Sequence, residues 1–306
     1  METVINIKPV KHETYNCYCN NILDNICSYF AKEVSICFLD SFSFKLLEED
    51  DAHTILCYTD KFISIMEKMC GIKISNVSIT DINETINCIE RQIENNLPVG
   101  FLIDSFYIPW NTYYLKMRMP HSILIIGYNE ESFYCADGFF SDKIEMINKE
   151  DLLKNGNSLV LFENISDISI SKKDIIISLK KTIESYSDIK AIKKYLDLYM
   201  ELEMKNDADI RRSKIMYHIS NIGWSRNNFS SALQFIQEYL NTDIFDTIIC
   251  EVNYSYEKWI ILKNLLSKSL LMKNKNMFDE KSGKIISDIS KYESNIIGMI
   301  LGLESE

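Results

Sequence analysis

Glycine and proline are scarce in this chain, at 9 and 4 of 306 residues. Together they make up about 4% of it, against roughly 12% in an average protein. That shortage disfavours a loop-rich architecture and favours long helices. All four prolines (Pro9, Pro98, Pro109, Pro120) precede residue 121. Long apolar runs are missing too. The longest, "SILIIGY" and "IIGMILGL", fall well short of the ~18 to 20 residues that a bilayer helix needs, so no membrane span is expected. The start, "METVINIKPVKHETY", lacks a cationic stretch followed by an apolar core. A signal peptide is not expected there, and the cytoplasm is the expected compartment.

A disulfide framework is also absent. Eight of the nine cysteines lie between Cys17 and Cys135. The odd count, irregular spacing and want of an export signal point to free thiols. Cys17-x-Cys19 lacks the usual two-residue gap and no second pair completes a four-ligand set, so no metal site is expected. A basic face is wanting in the first half. The net charge is -11, and it is uneven: residues 1–170 carry 13 Lys+Arg against 25 Asp+Glu, and residues 171–306 carry 20 against 19. A nucleic-acid binder needs the opposite, whereas an acidic half attracts cationic small molecules.

What is present changes period along the chain. "NCYCNNILDNICSYFAKE" reads as a helix with Cys19, Ile22, Leu23, Ile26 and Phe30 on one face. Asn16 is its expected N-cap, which puts Cys17 in the first turn. "LLEEDDAHT" reads as an acidic surface loop. "TDINETINCIERQIENN" is a second helix, with Asp81 and Glu84 in a capping-box relation and Ile82, Ile86, Ile89 and Ile93 as its stripe. Strands follow in "LPVGFLID", "HSILIIGY", "SFYCAD" and "SLVLFE". After Ile170 the pattern is helical: Ile192, Leu196 and Tyr199 recur at helical spacing, as do Phe229, Leu233, Ile236 and Leu240. "SNIGWSRNNF" reads there as a link between two helices at Gly223, and "NISDISISKKD" as the boundary before the helical half.

The second and third strands are expected to pair as a hairpin with Tyr128 opposite Ser132. Asp137 then faces Ile123, with His121 diagonal to it on one side of the sheet, ~7 to 8 Å away at Cα. Cys17 at a helix start, His121 and Asp137 supply the parts of an activated thiol nucleophile: a thiolate helped by the helix dipole, an imidazole to exchange its proton, and a carboxylate to orient the imidazole. Tyr107, Trp110, Tyr113 and Tyr114 could wall an aromatic pocket or simply cover the sheet. Asp104 could bind an amine or end a strand. His12, His53 and His218 show no partner in the sequence and read as structural.

The order of a cysteine helix, a second helix, "LPVGFLID", "PHSILIIGY" and "CADG" resembles the papain-like cysteine fold. It is most similar to acyltransferases of the butirosin-H N-terminal type. Relatives of that type include the amide-forming enzyme of closthioamide biosynthesis, a thiotemplated nonribosomal peptide pathway. The segment "DSFYIPWNTYYLKMRMPH", from Asp104 to His121, carries most of the likeness. The resemblance covers residues 1–165 and implies an α+β papain-like domain there with an antiparallel sheet; the helical periodicity beyond it makes 166–306 an all-α domain. The resemblance also implies a cysteine-dependent acyltransferase or amide synthase, papain- or transglutaminase-like. The acyl donor would ride on the phosphopantetheine of a carrier protein and the acceptor would be a small-molecule amine. Neither cofactor, nucleic acid nor membrane is implied.

Carried over, Cys17 is the nucleophile, His121 the base and acid, and Asp137 the orienter, with Cys19 the alternative nucleophile. Papain relatives commonly have a glutamine about six residues before the cysteine; Lys11 stands here instead. Asn16 or a backbone N–H at the helix start would have to serve as oxyanion donor, while Asp104, Tyr107 and Trp110 are substrate-binding candidates. A peptidase using the same triad and a non-catalytic docking protein are the competing functions.

Overall fold

The computed structural model describes residues 2–12, 16, 18–49, 52–57, 61–165, 171–184, 186, 189–205 and 213–304. The first half contains β1 (Thr3–Val4), a π-helical stretch Cys19–Asp24 running into α1 (Asn25–Tyr29), β2 (Phe44–Glu49), β3 (Ala52–Cys57), α2 (Lys61–Ile65), β4 (Ile72–Ser78) and α3 (Ile82–Glu94). It continues through β5 (Val99–Asp104), β6 (Pro120–Tyr128), β7 (Ser132–Ala136), β8 (Ile144–Asn148), α4 (Lys149–Lys154) and β9 (Gly156–Asn164). The second half is α5 (Lys172–Glu184), α6 (Ile189–Lys205), α7 (Lys214–Leu240), α8 (Asp246–Leu271) and α9 (Lys275–Leu301). Among the described residues no helix is long and apolar enough to cross a membrane.

The chain divides into two compact units, Met1–Val34 with Met66–Ile168, and Ser35–Ile65 with Ser169–Glu306. Segment 35–65, which the sequence reading kept with the sheet, therefore groups with the helices. The reason is aromatic. Phe44 belongs to the same buried cluster as Ile192, Tyr195, Ile219, Trp259 and Phe278, and Phe42 stacks on Tyr186 at 5.5 Å. The helical unit is accordingly not all-α, because it holds the β2–β3 hairpin. That hairpin also corrects the expected acidic loop: Phe44 pairs with Cys57 and Glu49 with Ala52, so Glu48 and Glu49 lie in a strand. Gly223 is no link either. It lies inside α7, where a Cβ would meet Trp259 at 3.5 Å, an ordinary contact.

The first unit is built on a mixed helix and antiparallel-sheet plan. Its strands run in the order β4-β9-β5-β6-β7-β8, with β1 on β6. The pairs are antiparallel. Local chemistry accounts for the elements beside the sheet. Asp81, extended at φ -134°, accepts a 2.8 Å bond from the Glu84 N–H and starts α3; Ile89 and Ile93 of its apolar stripe are fully buried. The π-helical stretch lies close on β5 because Gly100 has no Cβ: one there would sit 2.9 Å from Ile22 Cδ1.

The β6–β7 hairpin differs from expectation at its tip. Tyr128 pairs with Phe133 and Gly127 with Tyr134, and a bulge before Gly127 then restores Ile125 to Cys135 and Leu124 to Ala136. The Asn129 side chain tightens the tip by accepting from the Glu131 and Ser132 N–H groups at 3.0 and 2.8 Å. Because the extra residue is absorbed at the bulge, the open end of the hairpin keeps the register that sets His121 near Asp137.

Candidate active site

His121 lies at the start of β6, across from Ile103 of β5. Asp137 is the first residue after β7. Their side chains meet, His121 Nε2 to Asp137 Oδ2, at 2.9 Å, with 2% and 0% of their surfaces exposed. A carboxylate only accepts, so Nε2 carries the proton of this bond and Nδ1 is the nitrogen turned away from Asp137. Phe140 packs against the imidazole with ring centroids 4.9 Å apart, and Phe139 lies at 6.1 Å. Tyr113 stands edge-on to Phe140 at 5.9 Å.

Asp137 receives two further donors. Trp110 Nε1 donates to Oδ2 at 2.8 Å, and Asn21 Nδ2 donates to Oδ1 at 2.7 Å. Trp110, a substrate-binding candidate by sequence, is thus an internal partner of the carboxylate. Asp104 is a turn residue here: it accepts from the Phe106 and Met119 N–H groups at 2.9 and 3.1 Å and pairs with Arg118 at 3.3 Å. Arg118 also donates to the Tyr107 hydroxyl at 3.1 Å and lies over the Phe106 and Tyr107 rings. Asp104 and Tyr107 therefore gather around Arg118, whereas Trp110 joins the His121–Asp137 pair.

Cys17 lies outside the described residues. Its neighbour Asn16 does cap the helix start: Asn16 Oδ1 accepts from the Cys19 N–H at 2.8 Å, and its carbonyl from Asn20 N–H at 2.9 Å. The next cysteine, Cys19, is buried at 5% exposure. Cys135, on β7 beside the pair, is fully buried, and its thiol pKa is pushed far up by burial and then by the Asp137 and Glu145 charges. It stays protonated and is no rival nucleophile.

The sequence reading missed Asn20 and Asn21. Both are wholly buried. Asn21 Nδ2 also donates to the Ser122 carbonyl at 2.7 Å, while Asn21 Oδ1 accepts from Asn20 Nδ2 at 2.8 Å and Phe139 N–H at 3.2 Å. Asn20 Nδ2 donates in turn to the Val10 carbonyl at 2.8 Å, and Asn20 Oδ1 accepts from His12 N–H at 2.6 Å. Asparagine is a poor helix former, so three of them (Asn20, Asn21, Asn25) within one short helix, behind a fourth at its cap, was the available signal. His12 is not without a partner: its Nε2 lies 3.4 Å from Asp24. His218 has one as well, the Tyr195 hydroxyl, 2.5 Å from its Nδ1.

Val10 and Gly138 come into direct backbone contact. A Cβ on Gly138 would sit 1.9 Å from the Val10 oxygen. The Asp-Gly pair after β7 thus admits the N-terminal segment against the site, beyond any turn chemistry.

No protein-family model matches the chain, and no curated protein matches it. Among solved structures it is similar to one described as a candidate C39-like peptidase from Bacillus anthracis, with 11% identity and a TM-score of 0.40, over 54% of this chain and all of that one.

Proposed function

We propose that this protein is a cysteine-dependent acyltransferase that forms an amide. The Cys17 thiolate attacks the carbonyl of a thioester carried on the phosphopantetheine of a carrier protein. The C–S bond to the carrier breaks, the carrier thiol leaves with a proton from His121, and an acyl-cysteine remains. An amine then adds to that carbonyl, His121 takes its proton, and the Cys17 C–S bond breaks to release the amide and regenerate the thiolate. Asp137 holds the imidazole so that Nδ1 exchanges these protons. Asn16, or a backbone N–H of the first turn, would donate to the oxyanion. The acidic half of the chain would favour a cationic amine as acceptor.

The observation that carries this reading is the buried 2.9 Å His121–Asp137 contact. The hydrogen-bonded link from Asp137 to Asn21 on the helix that Asn16 caps adds to it. The choice of thioester and amine over peptide and water rests on the sequence resemblance.

Intact-mass spectrometry after incubation with carrier-bound acyl thioesters tests it. The parent should gain an acyl mass that Cys17→Ala prevents and Cys19→Ala allows. Added amines should discharge it as amide. Discharge as free acid whatever amine is present would establish a hydrolase instead. Acylation that survives in Cys17→Ala would move the nucleophile elsewhere.

A further inference from the structure

We infer that Asn21 is a positioning residue, the part that fixes the His121–Asp137 pair relative to the helix start; this rests on the reading of Cys17 as nucleophile. Asn21 lies in the helical stretch whose start Asn16 caps. Its amide is fully committed. The two donors go to the Asp137 carboxylate and the Ser122 carbonyl, and the oxygen accepts from Asn20 and from the Phe139 N–H. One side chain thus ties the helix to β6 next to His121 and to the turn that carries Asp137.

The wide turn helps to account for this. A π-helical stretch spans Cys19–Asp24, and both Asn20 and Asn21 are buried within it. Asn25 Nδ2 donates back to the Asn20 and Asn21 carbonyls at 3.1 and 3.0 Å, meeting acceptors that the wider turn re-aims. π-Bulges of this kind recur at functional sites. An apolar residue at position 21 could fill the same space but could not set the rotation of a carboxylate. The amide donor determines which Asp137 oxygen is left to face His121.

The test has two arms. In the first, the tautomer and titration of His121 are read by nitrogen-15 NMR in the parent, Asn21→Ala and the near-isosteric Asn21→Asp. In the second, the alkylation rate at Cys17 is followed from pH 5 to 9 in the same proteins. Asn21→Ala should weaken the downfield Nε2 proton signal of the His121–Asp137 bond and mix the tautomers. Its alkylation at pH 5 to 6 should drop by ~10-fold or more, as the thiolate loses its imidazolium partner. Asn21→Asp, which places a second carboxylate beside Asp137, should raise the His121 titration midpoint. The inference is overturned if a folded variant of either kind keeps the parent His121 tautomer and midpoint. A parent whose Cys17 reacts like an ordinary thiol would sink the acyltransferase reading, and the NMR arm would still decide the role of Asn21.

Discussion

Replacing Asp137 should cost stability as well as rate, in an order set by how many donors are stranded. The carboxylate accepts from His121 Nε2, Trp110 Nε1 and Asn21 Nδ2. In Asp137→Ala all three lose it. Asn21 keeps its second bond to the Ser122 carbonyl, and a neutral imidazole can move its proton to Nδ1, so the Trp110 indole is the donor with least recourse. A buried donor without a partner costs ~1 to 3 kcal/mol. Asp137→Ala should therefore lose on the order of 2 to 5 kcal/mol, a large share of the ~5 to 15 kcal/mol that holds a typical domain folded. In Asp137→Asn the amide oxygen can face His121 and Trp110. Only the amide-to-amide clash with Asn21 then remains, at ~1 to 3 kcal/mol. Urea unfolding followed by far-UV circular dichroism should rank parent above Asp137→Asn above Asp137→Ala. Asp137→Asn is thus the variant for kinetics, where a rate loss within the ~10²- to 10⁴-fold range of general-base catalysis is expected. An alanine variant within about 1 kcal/mol of the parent would refute the donor count and with it this picture of the site.

Four further outcomes follow from the packing and the charges. Gly138→Ala should destabilise by ~2 to 4 kcal/mol, because its Cβ would displace the Val10 oxygen from Asn20. Gly298→Ala, in α9 with nothing within 4 Å of the added carbon, should stabilise by roughly 0.5 to 1 kcal/mol; chemical denaturation compares the two. Glu293 accepts from Arg226, Ser255 and Trp259 deep in the helical unit. Arg226→Met should cost ~3 to 5 kcal/mol, because it leaves the buried Glu293 charge without its ionic partner. Burial and then Lys214 depress the His218 pKa from 6.5 to about 4. The unfolded chain binds that proton first as pH falls, so stability is intact above about pH 6.5 and declines toward pH 4, by ~1 to 2 kcal/mol once solvent screening is allowed for. Thermal melts of His218→Gln should lack that part of the decline.

Most of what the sequence revealed was local. The Asp81 cap, the Asn16 cap and the apolar stripe of α3 depend on residues within one or two turns, and each is found where its residues imply. β4 went unread because its burial runs from one buried residue into a mostly exposed edge, so no alternation marks it. The β2–β3 hairpin was hidden by the acidic residues of its strands, and Gly223 looked like a break because helix propensity is blind to tertiary packing. At the site the His121–Asp137 pair was legible through a register that needs only the hairpin. Trp110 and Asn21 were not. They reach Asp137 across 27 and 116 residues of chain, and no periodicity encodes contacts at such separations.

The polar chain from Val10 through Asn20 and Asn21 to Asp137 and His121 is hard to explain by stability alone. Asn20, Asn21, Asp137 and His121 had to be stripped of water, and leucine-like residues could have joined the same helix to the same sheet without that cost. What apolar contacts cannot supply is direction. They leave a carboxylate rotating, whereas donors aimed at both oxygens give it one orientation, and that orientation passes to the imidazole through Nε2. The arrangement also divides the labour between the two sides of Asp137. Trp110 comes from the excursion between β5 and β6 and holds Oδ2 beside His121, while Asn21 holds Oδ1 from the helix. If either fails, the carboxylate can rotate about the bond that remains. The effects of Trp110→Phe and Asn21→Ala on His121 should therefore be non-additive, with a coupling in the ~0.5 to 3 kcal/mol range of residues in one hydrogen-bond network.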